Sequence, residues 1–134
     1  MSDRSPVNEL REWLKTFLGD GYYADEAPDE AVGIYRVGQL TSSFDEAGST
    51  CEVWTFELDY WTAGKSYGVL YDLERSDRGD GDQVTPSGLD RRRAELAHGY
   101  AFITHEGLMP VEDPDRDLRR LRASYTIRLY NAKE

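Results

Sequence analysis

Near the end of the chain Leu121, Ala123, Tyr125, Ile127 and Leu129 alternate with Arg122, Ser124, Thr126 and Arg128. A period of two puts successive side chains on opposite faces, so the stretch predicts a strand with one face in a core and one toward water. That wet face is basic on an acidic protein. Between Arg116 and Glu134 six basic residues stand against two acidic ones, a charge of +4, whereas the whole 134-residue chain carries -10. The remainder therefore carries -14. Such segregation suits a subunit whose surface meets the opposite surface of an identical neighbour, and internal pairing of the arginines would leave the same trace.

The length fits one domain, residues 1–134, with a real core. Nine Tyr, four Phe and three Trp supply large buried areas and argue against disorder despite 31% charged residues. Cys51 is the single cysteine, so an internal disulfide is excluded and a small buried thiol is expected. Met1 to Arg11 lacks the apolar core of a signal peptide and no run reaches membrane-spanning length, so a cytoplasmic site of synthesis and no membrane partner are expected. The acid excess disfavours nucleic-acid binding. Only Lys15, Lys65 and Lys133 are lysine among 16 basic residues, a bias that fits adaptation to concentrated salt and equally a GC-rich genome.

Ser5 and Pro6 open a helix whose apolar residues Val7, Leu10, Leu14, Phe17 and Leu18 recur at helical spacing before Gly19. Tyr22-Tyr23 and Ala31 to Val37 read as strands, and Gln39 to Thr50 as a polar loop. Glu52 to Trp61 is the clearest central strand, with Trp54, Phe56, Leu58 and Tyr60 as its core face. Tyr67 to Arg75 reads as a second short helix, and Ser76 to Asp90 as an exposed, mobile acidic loop. One strand from Ala94 to Ile103, with Leu96, His98, Tyr100 and Phe102 on its core face, and a linker from Gly107 to Leu118 complete the pattern. The fold class is α+β: two short helices packed on a mainly antiparallel sheet.

Motifs for chemistry are absent or degenerate. Gly64-Lys65-Ser66 lacks the glycine of a phosphate loop, because Asp59 stands in its place. Arg78-Gly79-Asp80 is a coincidence of common surface residues. Asp77, Asp80 and Asp82 lack EF-hand spacing, and His98 and His105 lack a metal-type spacing. His105-Glu106 has no accompanying nucleophile. No metal, cofactor or catalytic residue is expected.

An N-terminal helix, a Tyr22-Tyr23 segment before an acidic turn containing Pro28, and a long strand leading into a short helix over Glu52 to Arg75 form one ordered layout. It closes on an acidic stretch from Gly107 to Asp117 containing Pro110 and Pro114, followed by the alternating strand Arg120 to Leu129. This order and ending resemble the tail terminator, or minor capsid, proteins of tailed viruses. The resemblance implies a non-enzymatic virion subunit, with six copies ringed on the last tube-protein ring, ending tail growth and docking to the head connector. Its interfaces are not fixed by motif. From charge alone, Asp77, Asp80, Asp82, Arg120, Arg122 and Arg128 are the candidate interface residues. A head-completion stopper and an acidic DNA-mimic inhibitor remain the alternatives.

Overall fold

The computed structural model describes residues 6–27, 33–45, 51–63, 67–82, 84–97, 99–111 and 118–131. Ser5, residues 31–32 and 46–50, Gly64 to Ser66, His98, the linker positions 112–117 and Lys133 lie outside them. The elements are α1 (Pro6–Leu18), β1 (Tyr22–Ala24), β2 (Ile34–Asp45), β3 (Cys51–Ala63), α2 (Gly68–Arg78), β4 (Arg92–Leu96), β5 (Gly99–Val111) and β6 (Leu118–Asn131).

The strands form one sheet in the order β1-β2-β3-β6-β5-β4. All neighbours are antiparallel except β1 and β2, which run parallel, so the sheet is mixed. β3 and β6 sit at its centre, where Phe56 faces Tyr125 and Tyr60 faces Leu121 in register. The expected inner face of β6 is fully buried from Leu121 to Leu129. Both helices cover this face. Leu10, Leu14 and Leu18 lie one turn apart on α1 and are buried in the same cluster as Leu70 of α2. Each such leucine contributes roughly 2 kcal/mol by leaving water. Gly19 caps α1 at φ 75, its N–H donating to the Lys15 carbonyl. Cys51 is buried.

Four segments differ from the sequence expectation. Gln39 to Asp45 is strand, because Gln39, Leu40 and Thr41 pair with Glu57, Phe56 and Thr55; its polarity belongs to the wet face of a sheet. The expected strand from Ala94 to Ile103 is a hairpin, with Leu96 paired to Gly99. That pairing shifts the alternation by one, so Ala101 and Ile103 enter the core while Tyr100 and Phe102 face out. β5 then runs to Val111 through what reads as linker, with a bulge between His105 and Gly107. Finally, Ser76 to Asp90 is anchored at both ends. Ser76 to Arg78 finish α2, Leu89 is fully buried, and Leu89 N–H and Asp90 N–H donate to the Asp77 and Arg78 carbonyls.

Candidate assembly surfaces

The six residues singled out by charge fall into three settings. Asp77 is interior: its carboxylate takes two hydrogen bonds from Arg36 Nη1, at 2.9 and 2.8 Å, and one from Tyr60 Oη at 2.8 Å. The other guanidinium nitrogen of Arg36 donates to the Leu18 and Asp20 carbonyls at the end of α1. This cluster ties both helices to β2 and β3.

Asp80 and Asp82 shape the exposed tip instead. Asp80 Oδ1 accepts Asp82 N–H, which holds its carboxyl below the usual range, and Asp82 Oδ1 accepts Val84 N–H. Such local bonds are what short acidic side chains make in turns.

Arg120 and Arg122 lie on the outer face as the alternation predicts, where both grip Asp59 across the β3–β6 pair. Arg120 Nη2 stands 2.5 Å from Asp59 Oδ2, and Arg122 Nε stands 2.9 Å from Oδ1. The bond to Asp59 raises the Arg122 pKa further above its ordinary value. Arg120 also lies 4.7 Å over the Trp61 ring, which stacks on Tyr35. Arg120 and Arg122 are thus engaged within their own chain. Arg128 is exposed further along β6, opposite Phe102.

Sequence reading did not single out the partners of these residues. Arg36 interrupts an apolar strand and Asp59 sits between Leu58 and Tyr60, a signal for an internal ion pair that passed as ordinary wet-face polarity. Glu74 shares the helical spacing of Tyr67, Leu70 and Tyr71, and its carboxyl is fully buried on the inner side of α2, 3.0 Å from Arg78 Nε and 3.7 Å from His105 Nε2. Burial pushes its pKa up, with Arg78 and then His105 opposing. His105 thus meets Glu74, while its sequence neighbour Glu106 is exposed. Among the described residues no group of three or more His, Cys, Asp or Glu could hold a metal ion, and no helix is long and apolar enough to cross a membrane.

The outer face carries two depressions on opposite flanks. One, about 550 Å³, is lined by Val84, Pro86, Arg91 to Arg93, Tyr100, Phe102 and Tyr130 at the β4 side. The other, about 330 Å³, is lined by Asp25, Glu26, Tyr35, Asp59, Trp61 and Arg120 among others at the β1–β2 side. Both are open and aromatic-walled.

No protein-family model and no curated protein matches this chain. Its fold is similar to that of a chain in a solved structure described as the virion of a native gene transfer agent (GTA) particle. The two superpose with a TM-score of 0.56 and 14% identity, over 94% of this chain and 92% of the other.

Proposed function

We propose that this chain is a structural virion subunit, with no enzymatic role, whose copies close into a ring of six at the tail-to-head junction. There it caps the tail tube, ends tail growth and meets the head connector. The observation that carries this reading is the fold likeness to a chain of a gene transfer agent virion, which spans nearly the whole of both chains. The order of elements and the acidic, proline-containing approach to the last strand support the terminator position in particular.

Two features agree with a subunit that works by contact. The shifted carboxyl of Glu74 is buried against Arg78, and the shifted guanidinium of Arg122 is held by Asp59, so both serve contacts within the chain. The sheet has one face under helices and one face left open for neighbours.

The test is the mass of the purified protein, alone and with the tail-tube protein, together with particle morphology when the gene is deleted. A ring of six, and tails that overgrow without heads, are the expected results. Filled heads that leak DNA beside normal-length tails would assign the protein to the stopper position. A monomer that inhibits a nuclease and joins no particle would overturn the virion reading in favour of DNA mimicry.

A further inference from the structure

The ring reading requires two different patches on each subunit that fit one another, because a cyclic contact of identical chains is head-to-tail. β1 and β4 are the two ends of the sheet, so each leaves one side of its backbone without a strand partner among the described residues. With three and five residues they are too short for a ladder alone to specify pairing, which leaves the choice of partner to side chains.

Those side chains differ in charge between the two ends. At the β4 end Arg91, Arg92 and Arg93 are consecutive. Arg92 turns inward, donating to the Pro86 and Gly88 carbonyls and lying over the Phe17 ring. Arg91 and Arg93 are exposed at the rim of the 550 Å³ groove, whose floor is the stacked pair Tyr100 and Tyr130 beside Phe102. Arg93 lies over Tyr100 at 3.7 Å and pairs through Nε with Glu95 of its own strand, which holds its guanidinium along that floor and leaves Arg91 as the groove's fuller positive charge. Arg91 holds φ 63, a left-handed conformation that glycine would adopt more freely. Val84, 87% exposed, forms the outer lip. The β1 end is the reverse. From residue 20 to residue 30 the sequence holds five acidic residues and no basic one. Of these, Asp25 and Glu26 are exposed at the rim of the 330 Å³ depression, beside Tyr35 and the Trp61 ring that Arg120 covers; Asp25 already pairs with Arg11 of α1 at 2.7 Å, so Glu26 is the carboxylate that the flank chiefly offers.

We infer that the β4-side groove of Arg91, Arg93, Tyr100, Phe102 and Tyr130 receives the acidic β1–β2 flank of a second copy of this chain, centred on Glu26. The contact deepens the ring proposal and rests on it. Complementary charge sets the register and orientation, and the aromatic floors supply the area removed from water. Since the two patches lie at opposite ends of one sheet, each subunit offers one to either neighbour and the series can close.

Charge reversal on each side separates this contact from the ring itself. One variant carries Arg91→Glu and Arg93→Glu. The other carries Asp25→Asn and Glu26→Arg, with asparagine chosen because position 25 holds φ 72. Circular dichroism and a melt first establish that each is folded. Native mass spectrometry of the full chain, with tail-tube protein added where the wild type needs it, is the readout. Wild type is expected as a ring, each variant alone as single subunits at ten times the wild-type ring-forming concentration. An equal mixture is expected to restore rings with the two variants alternating in equal number. Variants that each form rings as wild type does would overturn this interface and leave the ring standing. Broken variants whose mixture stays unassembled would overturn the pairing of these two patches. A wild type that forms no ring under either condition would overturn the ring and this contact together.

Discussion

Arg36 and Asp77, 41 residues apart in sequence, meet at 2.8 Å in the protein's interior, with side chains 7% and 12% exposed. The pair bridges strand β2 and helix α2, and through the Leu18 carbonyl it also fixes the end of α1. Removing one partner strands the other charge away from water. Asp77→Ala should therefore lower stability by about 3–5 kcal/mol in denaturant unfolding, and Arg36→Met combined with Asp77→Leu should recover part of that loss. Equal losses for the single and double replacements would mean the fold depends on the pair beyond its charge balance.

The Asp59 cluster is closer to solvent, since Arg120 and Arg122 side chains keep 23% and 29% of their exposure. Arg120→Gln with Arg122→Gln should cost about 1–2 kcal/mol, less than a fully buried pair because water screens the charge left on Asp59. Arg128→Gln, on the exposed part of β6, should stay within about 0.5 kcal/mol of wild type. Urea midpoints of the variants decide both. A double variant as stable as wild type would mark the two arginines as free to serve a neighbour.

Glu74 titrates above its ordinary range because the folded protein removes it from water. Its proton is held more tightly folded than unfolded, so the stability it contributes is fully present below the ordinary glutamate range and is lost as pH rises through the raised value. Arg78, His105 and Asp77 face it, as do the buried hydroxyl-bearing rings Tyr60 and Tyr125. The stability difference between wild type and Glu74→Gln should accordingly favour wild type more at pH 4 than at pH 7. Melts of both proteins across that range, giving a difference that does not change with pH, would remove burial as the controlling cause.

Salt acts on the whole acidic surface. A chain of -10 with three lysines repels itself in dilute buffer, and screening relieves that repulsion. The melting temperature should rise markedly from low to multimolar potassium chloride. A flat response would leave the arginine bias to base composition alone.

What the sequence made legible follows from periodicity. α1 was readable because Leu10, Leu14 and Leu18 repeat on one face and glycine closes the helix, and β6 because its alternation is unbroken. The β4–β5 hairpin was not, since alternation looks the same through a straight strand and into a tight turn, and only the phase of burial beyond Gly99 distinguishes them. Buried charge was the other blind spot. Glu74 and Asp77 occupy helical positions where a carboxylate ordinarily meets water, and their partners Arg78, His105 and Arg36 come together only in three dimensions. For the same reason a face of arginines could be read from β6 while Asp59, which engages two of them, could not.

Gly79 and Gly88 bring two backbone segments so close that a Cβ on either would run into the other, and the chain between them returns to where it left. The base of that loop is closed by main-chain bonds from Leu89 N–H to the Asp77 carbonyl and from Asp90 N–H to the Arg78 carbonyl, with Arg92 bracing the Pro86 and Gly88 carbonyls from outside the loop. The described tip residues 80–82 and 84–86 therefore hang from a socket whose walls take one side chain from the tip side, the Ser87 hydroxyl that accepts Asp80 N–H. The tip is a place where sequence can be exchanged, lengthened or replaced by a foreign peptide without a signal reaching Leu89 and the core behind it, provided both glycines stay. A lineage can vary what this subunit displays there while inheriting its fold unchanged.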